Sequence, residues 1–376
     1  MASYLVTGGA GFIGSHLSTE LVRRGHRVRV VDSLITGKKR NLEHLPQVEF
    51  VQGDLADAGV AERVVQGIDY VLHQAAIPSV PRSVKDPLTS NRANIDASLN
   101  ILVAARDAGV KRLVYAGSSS AYGDTPTLPK REDMPTNPLS PYALQKLVAE
   151  QYCQLFTRLY GFETVTIRYF NVFGPRQDPG SPYSGVISLF STALLEGRQP
   201  TIYGDGEQTR DFTYVANVVD GVLRACEAPK ASGEVINVAT AGRISLNELL
   251  RTMNTIVGSD IKAIYGPARA GDVRDSQADI EKARRLLGFT PIVSFEEGLR
   301  RTVEWAAGRP LPEQPSSSPA RYRRNWWWKS SDQTASSPQP PCSGGLTSTA
   351  TPSATPPSSR LCRTDSSGKR LRPCGT

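Results

Sequence analysis

Residues 4–14 read Tyr4-Leu5-Val6-Thr7-Gly8-Gly9-Ala10-Gly11-Phe12-Ile13-Gly14. A short apolar run meets three glycines spaced GxxGxxG, and helix-period residues continue to Arg24. Between a strand and a helix that spacing has a mechanical meaning. Gly8 permits the tight turn, Gly11 lets a pyrophosphate approach the backbone, and Gly14 lets helix and strand pack closely. The pyrophosphate then meets the free N–H groups of the helix start, where the dipole favours negative charge. A second strand ends in Asp32, placed to accept hydrogen bonds from the adenosine ribose hydroxyls of a dinucleotide. A third is followed by Gly53-Asp54-Leu55, where the carboxylate of Asp54 reaches an adenine amino group. Asp32 repels a 2′-phosphate, which favours NAD over NADP. Lys38, Lys39 and Arg40 read as a solvated loop.

Outward from this turn, strand patterns at 4–6, 28–31, 48–51, 70–73, 113–116 and 164–168 alternate with helical ones at 12–24, 88–108 and 142–160. Such alternation predicts βαβ units and an α/β fold of the Rossmann type, a doubly wound parallel sheet. Beyond 175 the pattern loosens around shorter helices at 186–196 and 246–257. We therefore expect an NAD-binding domain over 1–175 and a smaller C-terminal substrate-binding lobe over 176–309, discontinuous with the first. Residues 310–376 hold 11 of the 27 prolines, many Ser and Thr, and no hydrophobic period. That composition predicts a disordered tail.

The 376 residues carry a net charge of +8, but the tail alone, with nine Lys/Arg and three Asp/Glu, accounts for +6. The body is nearly neutral, so charge gives no argument for nucleic acid. Cys153 and Cys226 are the body's only cysteines, no CxxC occurs, and the four histidines lack ligand spacing, so no metal site is read. No apolar stretch is long enough to span a bilayer, and the first strand leaves no room for a signal peptide. The expected setting is cytoplasmic, with no membrane partner.

Tyr142 and Lys146 lie i,i+4 on the helix that begins near Pro141, and hence on one face. A phenol is a poor base at neutral pH, with a pKa of ~10. A neighbouring ammonium, together with the positive nicotinamide ring, stabilises the phenolate. The tyrosine can then take a proton from a sugar hydroxyl while hydride leaves for the cofactor. Upstream, Gly117-Ser118-Ser119-Ser120-Ala121-Tyr122-Gly123 closes a strand at its carboxyl end, where doubly wound sheets bind substrates. Ser118 is placed there to hydrogen-bond the reacting hydroxyl.

Together, the Gly-rich turn, the serine cluster and Tyr142/Lys146 resemble extended short-chain dehydrogenases/reductases, specifically the UDP-hexose 4-epimerases, over residues 1–308. Ser79-Val80-Pro81-Arg82-Ser83, following His73-Gln74-Ala75-Ala76, is similar to the bacterial UDP-N-acetylglucosamine and UDP-N-acetylglucosaminuronate 4-epimerases. So is Arg168-Tyr169-Phe170-Asn171-Val172-Phe173-Gly174-Pro175-Arg176-Gln177-Asp178-Pro179. The resemblance implies that Phe12, Ile13, Leu55, Gln74, Ala75, Ala76, Asn94 and Lys146 also contact NAD, with Tyr169 near the nicotinamide. It implies a catalytic group of Tyr142, Lys146, Ser118 and Ser119. It implies substrate contacts from Ser79, Val186 and Tyr203, a diphosphate held by Asn171, Arg210 and Arg269, and a ribose hydroxyl on Asp272. Guanidinium forks suit a diphosphate. A homodimer through a four-helix bundle is also implied.

The mechanism implied is removal of the C4-hydroxyl proton by Tyr142, hydride transfer to NAD, rotation of the 4-keto sugar and return of the hydride to its other face. Related dehydratases and decarboxylases carry an acid two positions before the Tyr-Gly pair; here that position is Ser120. Four residues after Asp272, where a bulky Tyr excludes N-acetyl groups in the family, stands Ser276. The expected substrates are therefore UDP-GlcNAc/UDP-GalNAc or their uronic acid forms. UDP-glucose epimerisation, UDP-glucuronate decarboxylation and a non-catalytic nucleotide sensor are the rival readings.

Overall fold

The computed structural model describes residues 1–178, 180, 185–268 and 273–308; the expected disordered tail lies outside them. Six strands, β1 (Ser3–Thr7), β2 (Arg27–Asp32), β3 (Glu49–Gln52), β4 (Tyr70–His73), β5 (Arg112–Ser118) and β6 (Glu163–Tyr169), join a seventh, Val235–Val238, in one sheet. All neighbours pair parallel, in the order Val235–Val238, β6, β5, β4, β1, β2, β3. β1 is buried along its whole length, as a strand covered on both faces must be. Its side chains alternate: Tyr4 and Val6 join one core with Leu17 and Leu21 of α1 (Phe12–Arg23) and Val218 and Val222 of a later helix, Val215–Glu227. Leu5 joins the other core, with Ala61 and Val64 of α2 (Ala58–Val64) and Ile101 and Leu102.

The expected strands are present with shifts of one or two residues at their ends. The strand Val235–Val238 was not anticipated; it follows the helix Val215–Glu227 and completes the sheet beside β6. The single helix expected over 88–108 is interrupted. After α3 (Val80–Lys85), α4 (Pro87–Asn91) runs into a wide π turn, Arg92–Asp96, before α5 (Ala97–Asp107). The extra residue lets Asn94 face inward. Its Oδ1 accepts the Ile77 N–H at 2.8 Å and its Nδ2 donates to Gln145 Oε1 at 2.9 Å. Hydrophobic period does not show a one-residue bulge.

Strand order reverses between β1 and β4, and the crevice outside their carboxyl ends is where such folds bind ligands. Around it, α6 (Pro141–Tyr160) packs against β5 and β6. Two short parallel strands, Thr201–Tyr203 and Ile264–Gly266, lie nearer the C-terminus.

Candidate active site

The crevice is a cavity of about 910 Å³. Gly8, Gly11, Phe12, Ile13 and Gly14 form one wall, Asp32, Asp54 and Leu55 the next, and Gln74, Ala75, Ala76 and Ser79 a third. Gly8 has a φ of +63°, and a Cβ there would stand 2.8 Å from the Ala75 backbone. A Cβ on Gly14 would collide with the Gly8 carbonyl oxygen. Gly11, the N-cap of α1, would meet only that oxygen, at 3.1 Å. Asp32 is buried, its carboxylate accepting the N–H groups of Ala10 at 3.0 Å and Leu34 at 2.8 Å. Burial pushes its carboxyl above the usual range, and those N–H bonds oppose the shift. Across the cavity, Tyr169 donates its hydroxyl to Gln74 Oε1 at 2.8 Å. The Gln74 Nε2 is buried without a partner among the described residues. A tight Gly turn, a carboxylate at the end of β2 and a buried amide donor in the wall together fit NAD.

Ser118, Tyr142 and Lys146 line the same cavity. The start of α6 is well specified: the Ser140 side chain accepts the Ala143 N–H at 3.1 Å and Pro141 follows. Ser83 of α3 takes the otherwise orphaned N–H of Tyr142 at 3.0 Å. Burial pushes the Tyr142 phenol up to about 12, opposed by a hydrogen bond with Ser118. Burial lowers Lys146 to about 7, opposed by Cys153 and Glu150. Its Nζ stands 4.4 Å from the centroid of the Tyr115 ring. Ser118 Oγ is 2.8 Å from Ser120 Oγ, with no carboxylate in that pair. Ser119 opens the 3-10 turn Ser119–Tyr122 and lines neither this cavity nor its neighbour. Asn94, buried, stands behind the wall.

A second cavity, of about 230 Å³, shares Val172, Gln177 and Gly185 with the first. Asn171, Val186, Tyr203 and Arg210 all line it. Arg210 donates to the carbonyls of Thr209 and Arg274, both at 2.9 Å. Ser276 lines neither cavity, but its N–H donates to Thr209 O at 3.1 Å, beside Arg210. Arg269 and Asp272 lie outside the described residues. The sequence reading did not anticipate Gln177 and Phe190 here, nor the ion pair of Lys38 with Asp178 at 2.6 Å, both in the wall of the larger cavity. Lys38 is therefore not merely solvated. Only the fold brings the loop after β2 to the segment after β6.

Ser98 and Thr7 fix the tautomer of the buried His73. Ser98 donates to Asn94 O at 2.6 Å, so it accepts from His73 Nε2 at 2.9 Å, and Thr7 donates to Nδ1 at 2.7 Å. Burial depresses the imidazole to about 3, against 6.5 for a free histidine. Between those values only the unfolded chain carries the proton, so the contribution is complete above pH 6.5 and is lost as pH falls. Denaturant titrations at pH 7.5 and 5.5 should show wild type losing about 1.4 kcal/mol more than His73→Gln for each unit below 6.5. Equal losses would contradict this.

The model of the NAD dependent epimerase/dehydratase family matches residues 4–239. A UDP-glucose 4-epimerase of Mycolicibacterium smegmatis is 41% identical over 306 residues, 80% of this chain and 97% of that protein. A UDP-N-acetyl-alpha-D-glucosaminuronate decarboxylase of Bacillus cytotoxicus is 35% identical over 313 residues, 80% of this chain and 96% of that one. Among solved structures, the UDP-N-acetylglucosamine 4-epimerase of Methanobrevibacter ruminantium M1, in complex with UDP-N-acetylmuramic acid, superposes with a TM-score of 0.78. It is 41% identical, covering 82% of this chain and 98% of that one.

Proposed function

Because the chain belongs to the NAD-dependent epimerase/dehydratase family and is a UDP-sugar 4-epimerase, we propose that its substrate is a UDP-hexose bearing a 2-acetamido group, UDP-GlcNAc/UDP-GalNAc or the uronic acid forms. The observation that carries the catalytic part is the meeting of Ser118, Tyr142 and Lys146 in the cavity walled by the Gly-rich turn. Bound NAD supplies the hydride acceptor and, later, the donor. Tyr142 takes the C4-hydroxyl proton, and a charged Lys146 lowers the phenol's hold on its own proton. Ser118 holds the reacting hydroxyl. Asn171 and Arg210 anchor the diphosphate while the 4-keto sugar turns, and Tyr142 returns the proton at the opposite face. The acetamido group is supported by the resemblance at Ser276, where the family carries a bulky Tyr to exclude it, and Ser120, in place of an acid, supports epimerisation over decarboxylation.

The test is incubation of the purified protein with UDP-GlcNAc, UDP-GlcNAcA, UDP-glucose and UDP-glucuronate in parallel, read by proton NMR. A galacto-configured product from an N-acetylated substrate is expected. UDP-glucose as much the best substrate would remove the acetamido assignment, and UDP-xylose with CO₂ would overturn the argument from Ser120.

A second copy of the chain is the partner proposed. Leu88 and Val103 on α4 and α5, and Leu144 and Leu159 on α6, are exposed at 83%, 36%, 50% and 64%. Apolar side chains in this number on neighbouring helices favour a covering surface. Sedimentation should find a dimer, and Leu144→Asp/Leu159→Asp should convert it to monomer. A monomeric wild type would reject the proposal.

A further inference from the structure

Tyr142, Lys146 and Glu150 follow one another at i,i+4 along one face of α6. Glu150 and Arg168 are each 3% exposed and form a bidentate ion pair, with Oε1 accepting from Nη2 at 2.6 Å and Oε2 from Nε at 2.9 Å. Arg168 precedes Tyr169 in β6 and lies opposite Gly117, the residue before Ser118, in β5. Its guanidinium stands 4.5 Å from the Tyr122 ring centroid, in the turn that follows Ser118. The pair thus joins the helix bearing Tyr142 and Lys146 to the two strand ends bearing Ser118 and Tyr169.

Stability alone gives little reason for it. A buried ion pair is commonly no better than apolar residues of the same volume. This one also leaves Arg168 Nη1 buried without a partner among the described residues. The groups around Lys146 indicate what it does. On β5, Tyr115 lies beneath the ammonium, and burial holds its hydroxyl protonated. On β4, His73 is neutral. On α6 itself, Cys153 is pushed up to about 12 and so stays a thiol. Arg168 on β6 is positive, but of this pair it is Glu150, one turn along α6, that acts on Lys146. Glu150 remains as the negative charge that opposes the desolvation of Lys146.

We propose that Glu150, held in place by Arg168, is a positioning residue that keeps the ammonium of Lys146 charged beside Tyr142. The proposal rests on the epimerase reading only for the role of Tyr142 as base, and its test needs no substrate. The Lys146 amine of the NAD-loaded protein is titrated against pH by NMR of 13C-labelled lysine, its signal identified with Lys146→Arg, in wild type and Glu150→Gln. Glutamine still accepts from Arg168 but carries no charge. The Lys146 midpoint should fall by about one pH unit in the variant, because the carboxylate charge that favours the ammonium is gone. Where an assayed substrate turns over, kcat at pH 7 should fall about fivefold, a loss that shrinks as pH is lowered and Lys146 is charged in both proteins. Should Glu150→Gln not fold, Glu150→Met/Arg168→Met replaces the pair by an apolar one, a change that buried pairs tolerate, and a smaller fall is expected because the Arg168 charge leaves with that of Glu150. An unmoved midpoint in either folded variant overturns the proposal, even where kcat or thermal stability falls, since a structural role alone would produce those losses. Inactivity of the wild type on every UDP-sugar would count against the substrate reading and leave this titration intact.

Discussion

Tyr142→Phe should lower kcat by about three orders of magnitude while the protein still retains NAD and binds UDP-sugar. General acid–base groups contribute roughly 10²–10⁴-fold, and here the same hydroxyl both takes and returns the proton. The substitution removes one oxygen from a residue whose backbone N–H is held by Ser83 and whose ring stays in the same wall. Ser118 loses a neighbour but keeps Ser120 at 2.8 Å, so the serine cluster is not left unsatisfied. The check is turnover by NMR, alongside the cofactor content of the purified protein and its melting temperature. A fall of less than tenfold would mean that another group moves the proton.

Gly11→Val should raise the dissociation constant for NAD by about 10²-fold or more, roughly 3 kcal/mol, without unfolding the protein. The three glycines of the turn are not equivalent. Gly8 is held at a φ of +63° against the Ala75 backbone, and Gly14 packs on the Gly8 carbonyl, so a side chain at either disturbs the fold itself. Gly11 has an extended conformation, with φ −78° and ψ −179°, that any residue adopts. Its added Cβ meets only the Gly8 oxygen at 3.1 Å, so the remaining side-chain volume goes into the cavity where the backbone must approach the pyrophosphate. Wild type should purify with bound cofactor and the variant without it, both melting cooperatively. Equal cofactor retention would show that the pyrophosphate does not lie on this turn. Gly14→Ala, by contrast, should lose thermal stability as well as cofactor.

What the sequence by itself determined is local or periodic. The GxxGxxG turn, Asp32 at the end of β2, Asp54 after β3 and the Tyr142–Lys146 face all depend on spacings of a few residues. A parallel sheet brings strand carboxyl ends to one side whatever else the chain does. The alternation of strands and helices carried the fold class for the same reason. The tertiary structure decided what depends on distant segments meeting. It placed Arg168 beneath α6 against Glu150, joined Lys38 to Asp178, and turned Asn94 inward through a π turn that periodicity reads as plain helix. It also built the second cavity from Asn171, Val186, Tyr203 and Arg210, three of them on separate elements and Asn171 in the bend after β6, with no shared spacing. Burial follows the same division. Nothing in the letters Lys146 or His73 marks them as desolvated, because the loss of water around a side chain is a property of everything packed upon it.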